Sequence, residues 1–154
     1  MKKKISIIAV VLFSLDQIVK PLAFNYLTHI SIIPGFLSLT YAKNDGVAFS
    51  MLSGNRIFII LLSIVLVLIL VYFLYKDYLI KNINNKLIAV SYGLLFGGIF
   101  GNLFDRILRG YVIDYISMNI FGYSFPIFNL ADILITIGVM LMFIDIIFNK
   151  ENSK

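Results

Sequence analysis

Eight acids are available for chemistry in this chain of 154 residues, seven aspartates and Glu151. There is no cysteine, and His29 is the only histidine. Thiolate catalysis, disulfides and Cys-based metal sites are therefore excluded, and a lone histidine leaves no His-pair metal site and little basis for a Ser-His-Asp triad. Hydrolytic chemistry has to be carried by aspartates. Two carboxylates held close together do not both ionise easily, so one keeps a proton while the other stays charged. Such a pair activates water as general base and protonates a departing amine as general acid. Asp114 and Asp132 are the candidates, but their spacing does not by itself bring them together. An ordinary loop carboxylate is the plain reading of Asp114 taken alone.

The surrounding polar residues fall at helical spacing. Asp16 and Lys20 are four apart, acid first, the favourable order for an ion pair on one helix face. Support of a helix end is the simpler role for that pair. Asn102 and Arg106 repeat the spacing, as do Asp105 and Arg109. Asn129 and Thr136 lie at i−3 and i+4 from Asp132, which predicts a polar face turned into the protein. Asn44-Asp45-Gly46 follows a strand pattern, and Asp-Gly there reads as a hairpin turn. Asp145 is expected at an interface near Lys150, and Asp77 on the lysine-rich side of the membrane.

The elements that must position these residues are set by a composition that is 60% hydrophobic and 14% charged. With a mean hydropathy of +0.97, the natural solvent is lipid. The uncharged run from Ile57 to Tyr75 rises about 29 Å as a helix, enough to cross the hydrocarbon core. Further spans are expected at 87–104, 127–148 and 5–24. Lys2, Lys3 and Lys4 before a short apolar region also fit a secretory signal peptide, but no small-x-small cleavage site follows, so this segment is read as a retained helix. Gly93, Gly97 and Gly101 form a small-xxx-small stripe that predicts close helix packing.

The result is one membrane domain over 1–154, with outer segments at about 25–55 and 105–126. Lys2, Lys3, Lys4, Lys76, Lys81, Lys86, Lys150 and Lys154 fall on one side, which the positive-inside rule makes cytoplasmic. Both termini then lie inside, and the polar residues crowd toward the outer face. The net charge of +5 is that of a lysine-flanked protein facing anionic lipid, with no nucleic acid required. In the first outer segment Leu37, Leu39 and Tyr41 alternate with Ser38 and Thr40 after Pro34-Gly35, predicting a half-buried strand in a small sheet on the outer surface.

Taken in order, Asp16-Gln17-x-x-Lys20, Asn44-x-Gly46-x-Ala48-Phe49, Gly101-Asn102-x-x-Asp105-Arg106, Val112-Ile113-Asp114 and Phe128-Asn129-x-Ala131-Asp132 resemble bacterial lipoprotein signal peptidase (signal peptidase II). Each motif is weak alone; five in order are specific, and they cover nearly the whole chain. The resemblance implies an all-α integral membrane protein of four transmembrane helices with a small extracytoplasmic β-sheet, in the bacterial plasma membrane. It implies an aspartyl endopeptidase that removes signal peptides from prolipoproteins, cutting before a diacylglyceryl-modified cysteine, with Asp114 and Asp132 as the dyad. Asn44, Gly46, Asn102, Arg106, Asn129 and Ala131 match positions that shape the site or hold substrate, and Asp16 and Lys20 match its supporting shell. No cofactor or metal is implied, and the expected partners are lipid-modified precursors and membrane lipid, with the enzyme a monomer. The family commonly carries Asn-Asn-Gly-Ala-Ala where this chain has Asn44-Asp45-Gly46-Val47-Ala48, which adds a negative charge and bulk that bear on substrate fit.

Two other readings use the same residues. A small proton-coupled transporter would spread its charges through the membrane depth on several helices. A non-catalytic assembly subunit would use the glycine stripe for docking and leave the polar clusters without a role.

Overall fold

Long runs of Ile, Leu, Val and Phe in lipid leave the backbone only its own carbonyls to bond, so each run closes into a helix. The computed structural model describes residues 2–47, 51–76 and 86–151. Among them are four helices long and apolar enough to cross a membrane. They are α1 (Lys2–Tyr26), α2 (Arg56–Tyr75), α3 (Lys86–Leu108) and α4 (Leu130–Glu151). The motif residues Ala48 and Phe49, and also Asp77, lie outside the described residues.

Burial ranks the helices. In α3, 61% of the apolar span is buried, against 17% in α1 and α4 and 6% in α2. The chain thus wraps around α3, with α1 and α4 packed closely on it and α2 more lightly. The expected glycine stripe faces α1. A Cβ on Gly93 would sit 2.6 Å from Ile8 Cγ2, and one on Gly97 would sit 3.0 Å from Leu12 Cβ. Gly98 and Gly138 do the same work toward α4: a Cβ on Gly98 would meet Ala131 O at 2.5 Å, and one on Gly138 would meet Leu95 Cγ at 2.8 Å. In lipid, where tails are as apolar as the side chains, this close approach supplies the packing that holds helices together.

The segments between helices build a four-stranded antiparallel sheet in the order β1-β2-β3-β4, from β1 (Ile30–Ile33), β2 (Leu37–Asn44), β3 (Val112–Ile120) and β4 (Tyr123–Ser124). The strand expected over 37–41 is there and runs on to Asn44. Asp45-Gly46 does not close a hairpin. Besides β1 before it, β2 pairs with β3, some seventy residues along the chain, and the turn instead leads toward α2. The register sets Ala42 opposite Asp114 and Asn44 opposite Val112. Ile113 and Tyr115 pack with Ala23 at the end of α1. Alternation along the strand therefore turns Asp114 to the opposite face.

Two helix ends differ from the expected spans. α3 continues to Leu108, past the expected end at 104, which puts Asp105 and Arg106 in its last turns. α4 starts at Leu130, later than the expected 127. Phe128 exchanges backbone hydrogen bonds with Ile116 of β3, so the chain stays extended up to Asn129.

Candidate active site

Asn129 ends that extended stretch and caps α4. Its side-chain Oδ1 accepts from the Asp132 backbone N at 3.1 Å, and Asp132 Oδ2 accepts from the Asn129 backbone N at 3.1 Å. This reciprocal pair is a capping box, which satisfies two otherwise unpaired N–H groups of the first turn. It also sets Asp132 nearer the helix start than the expected span, beginning at 127, would put it. The residue lies in the first turn of α4, not a full turn and more below the helix start, and its carboxylate sits at the positive end of the helix dipole. Thr136 does not share an inward polar face. It is exposed and its hydroxyl donates to Asp132 O at 2.8 Å, a bond within its own helix.

Asp114 and Asp132 converge on Asn129. Its amide Nδ2 donates to Asp114 Oδ1 at 2.6 Å, while its backbone N serves Asp132. The other oxygens are also filled: Asn44 Nδ2 donates to Asp114 Oδ2 at 2.8 Å, and Asn102 Nδ2 donates to Asp132 Oδ1 at 2.8 Å. Asp114 is 2% exposed and Asp132 is half-buried, so one carboxyl is enclosed and the other open on one side. Burial pushes the Asp114 carboxyl up to about 6, and the neighbouring Asp132 charge adds to this against the bonds from Asn44 and Asn129 and the Lys20 charge. Tyr115, beside it on β3, accepts from the Leu130 backbone N at 3.2 Å and so joins the sheet to the start of α4.

The remaining residues singled out in the sequence hold this arrangement from behind. Lys20 Nζ lies 2.7 Å from Asp16 Oδ2 and 2.8 Å from Asp105 Oδ2, all three side chains fully buried. It also donates to Asn102 Oδ1 at 3.0 Å. Asp16 in turn accepts from the Ala131 backbone N at 3.2 Å, tying α1 to the first turn of α4. Ala131 is wholly buried there. Arg106 Nη2 donates to Gly46 O at 2.6 Å, and the Gly46 N donates to Asn44 Oδ1 at 3.0 Å, so α3 grips the turn that aims Asn44. Asp45 points away from this cluster and accepts from Ser53 Oγ at 2.7 Å. All ten candidate residues thus belong to one connected network.

Sequence reasoning paired Asp105 with Arg109, and the two do pair. It missed Asp105 as the second counter-ion of Lys20. It also passed over Gln17, whose amide bonds Asp16, Asp105 and the Gly101 carbonyl, and Arg56, which donates to the Arg106 and Ile107 carbonyls at 2.8 Å and closes the end of α3. Gln17 beside Asp16 in the first motif was the available signal. Arg56 gave none, since a basic residue before an apolar span is ordinary. Asp145, in the last turns of α4, is buried. Among the described residues no three His, Cys, Asp or Glu side chains gather as a metal site.

A family model described as signal peptidase (SPase) II matches residues 8–148. The chain belongs to the signal peptidase II family. It is 40% identical over 151 residues to the lipoprotein signal peptidases of Staphylococcus aureus strains JH9 and Newman, covering 96% of this chain and 90% of theirs. A solved structure described as a bacterial membrane enzyme superposes with a TM-score of 0.86 at 39% identity, covering 97% of this chain and 91% of the other. A second such structure gives 0.80 at 40% identity over 92% and 91%. As a signal peptidase II, the protein is a peptidase and a hydrolase carried on membrane-spanning helices.

Proposed function

We propose that the protein is an aspartyl endopeptidase of the bacterial plasma membrane that removes signal peptides from prolipoproteins, cutting before a diacylglyceryl-modified cysteine. The observation that carries this reading is the convergence of Asp114 and Asp132 on one asparagine, Asn129, with all four oxygens of the pair accepting from N–H donors. Family membership supplies the substrate class.

In the reaction, ionised Asp132 takes a proton from water as the water oxygen attacks the scissile carbonyl carbon. Protonated Asp114 gives its proton to the carbonyl oxygen. The C–N bond then breaks, the amine of the modified cysteine receives a proton through the dyad, and the signal peptide leaves as a carboxylic acid. The enclosed position of Asp114 suits the proton holder, and the helix N-terminus suits the ionised base. Asn44, Asn102 and Asn129 hold the two carboxyls, and Arg106 with Gly46 holds Asn44. The lysine bias puts both termini in the cytoplasm and the site at the outer face, where signal helix and acyl chains stay in lipid and only the peptide bond meets the dyad. The protein acts as a monomer.

The test is cleavage by purified protein of a precursor peptide with and without its diacylglyceryl group. The expected product begins at the modified cysteine and forms at least about ten times faster than from the bare peptide, the return from anchoring and alignment. Equal rates for both peptides, or a cut elsewhere, would contradict the proposal.

A further inference from the structure

We infer that Lys20 is a positioning residue for this reaction: held between Asp16 and Asp105, its ammonium fixes the direction of the Asn102 amide so that an N–H group, and not a carbonyl oxygen, faces Asp132. The inference rests on the aspartyl reading above and adds a device that keeps the base ionised. An asparagine side chain presents an acceptor at one end and a donor at the other, and its neighbours decide which way it points. Lysine ammonium donates and never accepts. Its bond to Asn102 Oδ1 at 3.0 Å therefore leaves Nδ2 as the group that meets Asp132 Oδ1 at 2.8 Å. Asn129 Nδ2 donates to the same Asn102 oxygen at 3.2 Å and fills its second lone pair. The direction of Asn129 is fixed in turn, because its Oδ1 faces the Asp132 backbone N–H.

The consequence falls on protonation. A neutral Asp132 needs an acceptor for its O–H. Neither Asn102 nor the Asn129 backbone offers one, since both meet its oxygens with N–H groups. The titratable and charged groups around Asn102 and Asp132 are Asp16 and Lys20 from α1, Asp105 and Arg106 from α3, and Asp114 and Tyr115 from β3; from α2, Arg56 donates to the carbonyl end of α3. Lys20 lies between two carboxylates at 2.7 and 2.8 Å and meets Asp132 through the Asn102 amide.

The test is the acidic limb of the kcat/KM–pH profile, with the lipid-modified precursor as substrate and thermal unfolding as the control for folding. Lys20→Met removes the charged donor to the amide oxygen and leaves only the longer Asn129 bond to hold its direction, and Asn102→Leu removes the amide. Each is expected to move the limb upward by about one pH unit, the worth of one hydrogen bond to a charged group. The double variant is expected to move it no further than either single one, and Lys20→Arg, which still donates, is expected to leave it in place. Should Lys20→Met fail to fold with Asp16 left without its cation, the triple variant Asp16→Asn, Lys20→Met, Asp105→Asn is expected to show the same upward limb. An unmoved limb in whichever of these folds, or full additivity in the double variant, would overturn the inference while leaving the dyad intact. Cleavage surviving loss of Asp114 or Asp132 would instead overturn the aspartyl reading.

Discussion

Asn129 does three things with one side chain: it caps α4, it bonds Asp114, and it occupies the Asn102 oxygen. Replacing it by alanine is expected to cost about 1 kcal/mol of stability as a lost cap, but to lower kcat/KM at least about a hundredfold, since Asp114 loses a donor and the Asn102 amide beside Asp132 loses a support. Cleavage within threefold of wild type would show that the cap is its only role. Asp114 makes a separate prediction in pH. Its carboxyl is raised to about 6 from an ordinary 3.8, so the folded protein keeps a proton that the unfolded chain has released between those values. Folding stability contributed by the neutral form is thus full below about pH 4, falls as pH rises toward 6, and levels off above. In Asp114→Asn that loss is absent. The unfolding temperature of the variant minus that of wild type is expected to grow between pH 4 and 7 and then plateau, worth about 2–3 kcal/mol. A difference independent of pH would show that Asp114 titrates normally.

The elements matter because no one of them contains a site. α1 supplies Asp16 and Lys20, the end of β2 supplies Asn44 and the turn after it Gly46, α3 supplies Asn102 and Arg106, β3 supplies Asp114, and the start of α4 supplies Asn129 and Asp132. What brings them together is close approach to α3. A Cβ on Gly101 would lie 2.5 Å from Asp16 Oδ2, the end of a buried ion-paired side chain, and a Cβ on Gly98 would lie 2.5 Å from the backbone O of Ala131. The Gly98 neighbour is backbone and has no rotamer to change. Gly98→Ala is therefore expected to displace the first turn of α4 and cost about 1–3 kcal/mol, with a loss of cleavage beyond the unfolded fraction. Wild-type activity in the folded variant would mean that α4 tolerates the shift. Much of this layer was legible in the sequence. The apolar runs gave the four helices, the Leu37–Tyr41 alternation gave β2, and the glycine stripe gave a close helix contact on α3, though not that α1 fills it. The start of α4 was not legible, because Ile127 and Phe128 are as apolar as the helix that follows and only the bridge to Ile116 keeps them extended. Nor was the pairing of β2 with β3, which is long-range. The candidate residues were found by their order in five motifs, whereas the Lys20–Asp105 and Arg56 contacts depend on how the helices lean together.

At the scale of the molecule, the polar network gathers at one end of an apolar bundle, while α2 leaves almost its whole surface to the surroundings. On the proposed topology that end faces outward. Because the chain has no native cysteine, single cysteines report orientation directly. Lys3→Cys is expected to be shielded from an impermeant thiol reagent in intact cells and Tyr123→Cys to react with it. The opposite pattern would reverse the topology. The account as a whole stands on two carboxylates meeting in one enclosed site, and one comparison bears on it most directly. Purified Asp114→Asn and Asp132→Asn, each in lipid and each shown to be folded, are assayed beside wild type for release of the signal peptide from a diacylglyceryl-modified precursor. Loss of cleavage by at least about a thousandfold in both is the expected result, since each proton transfer contributes that order of rate. Near-wild-type cleavage by either one would contradict the dyad.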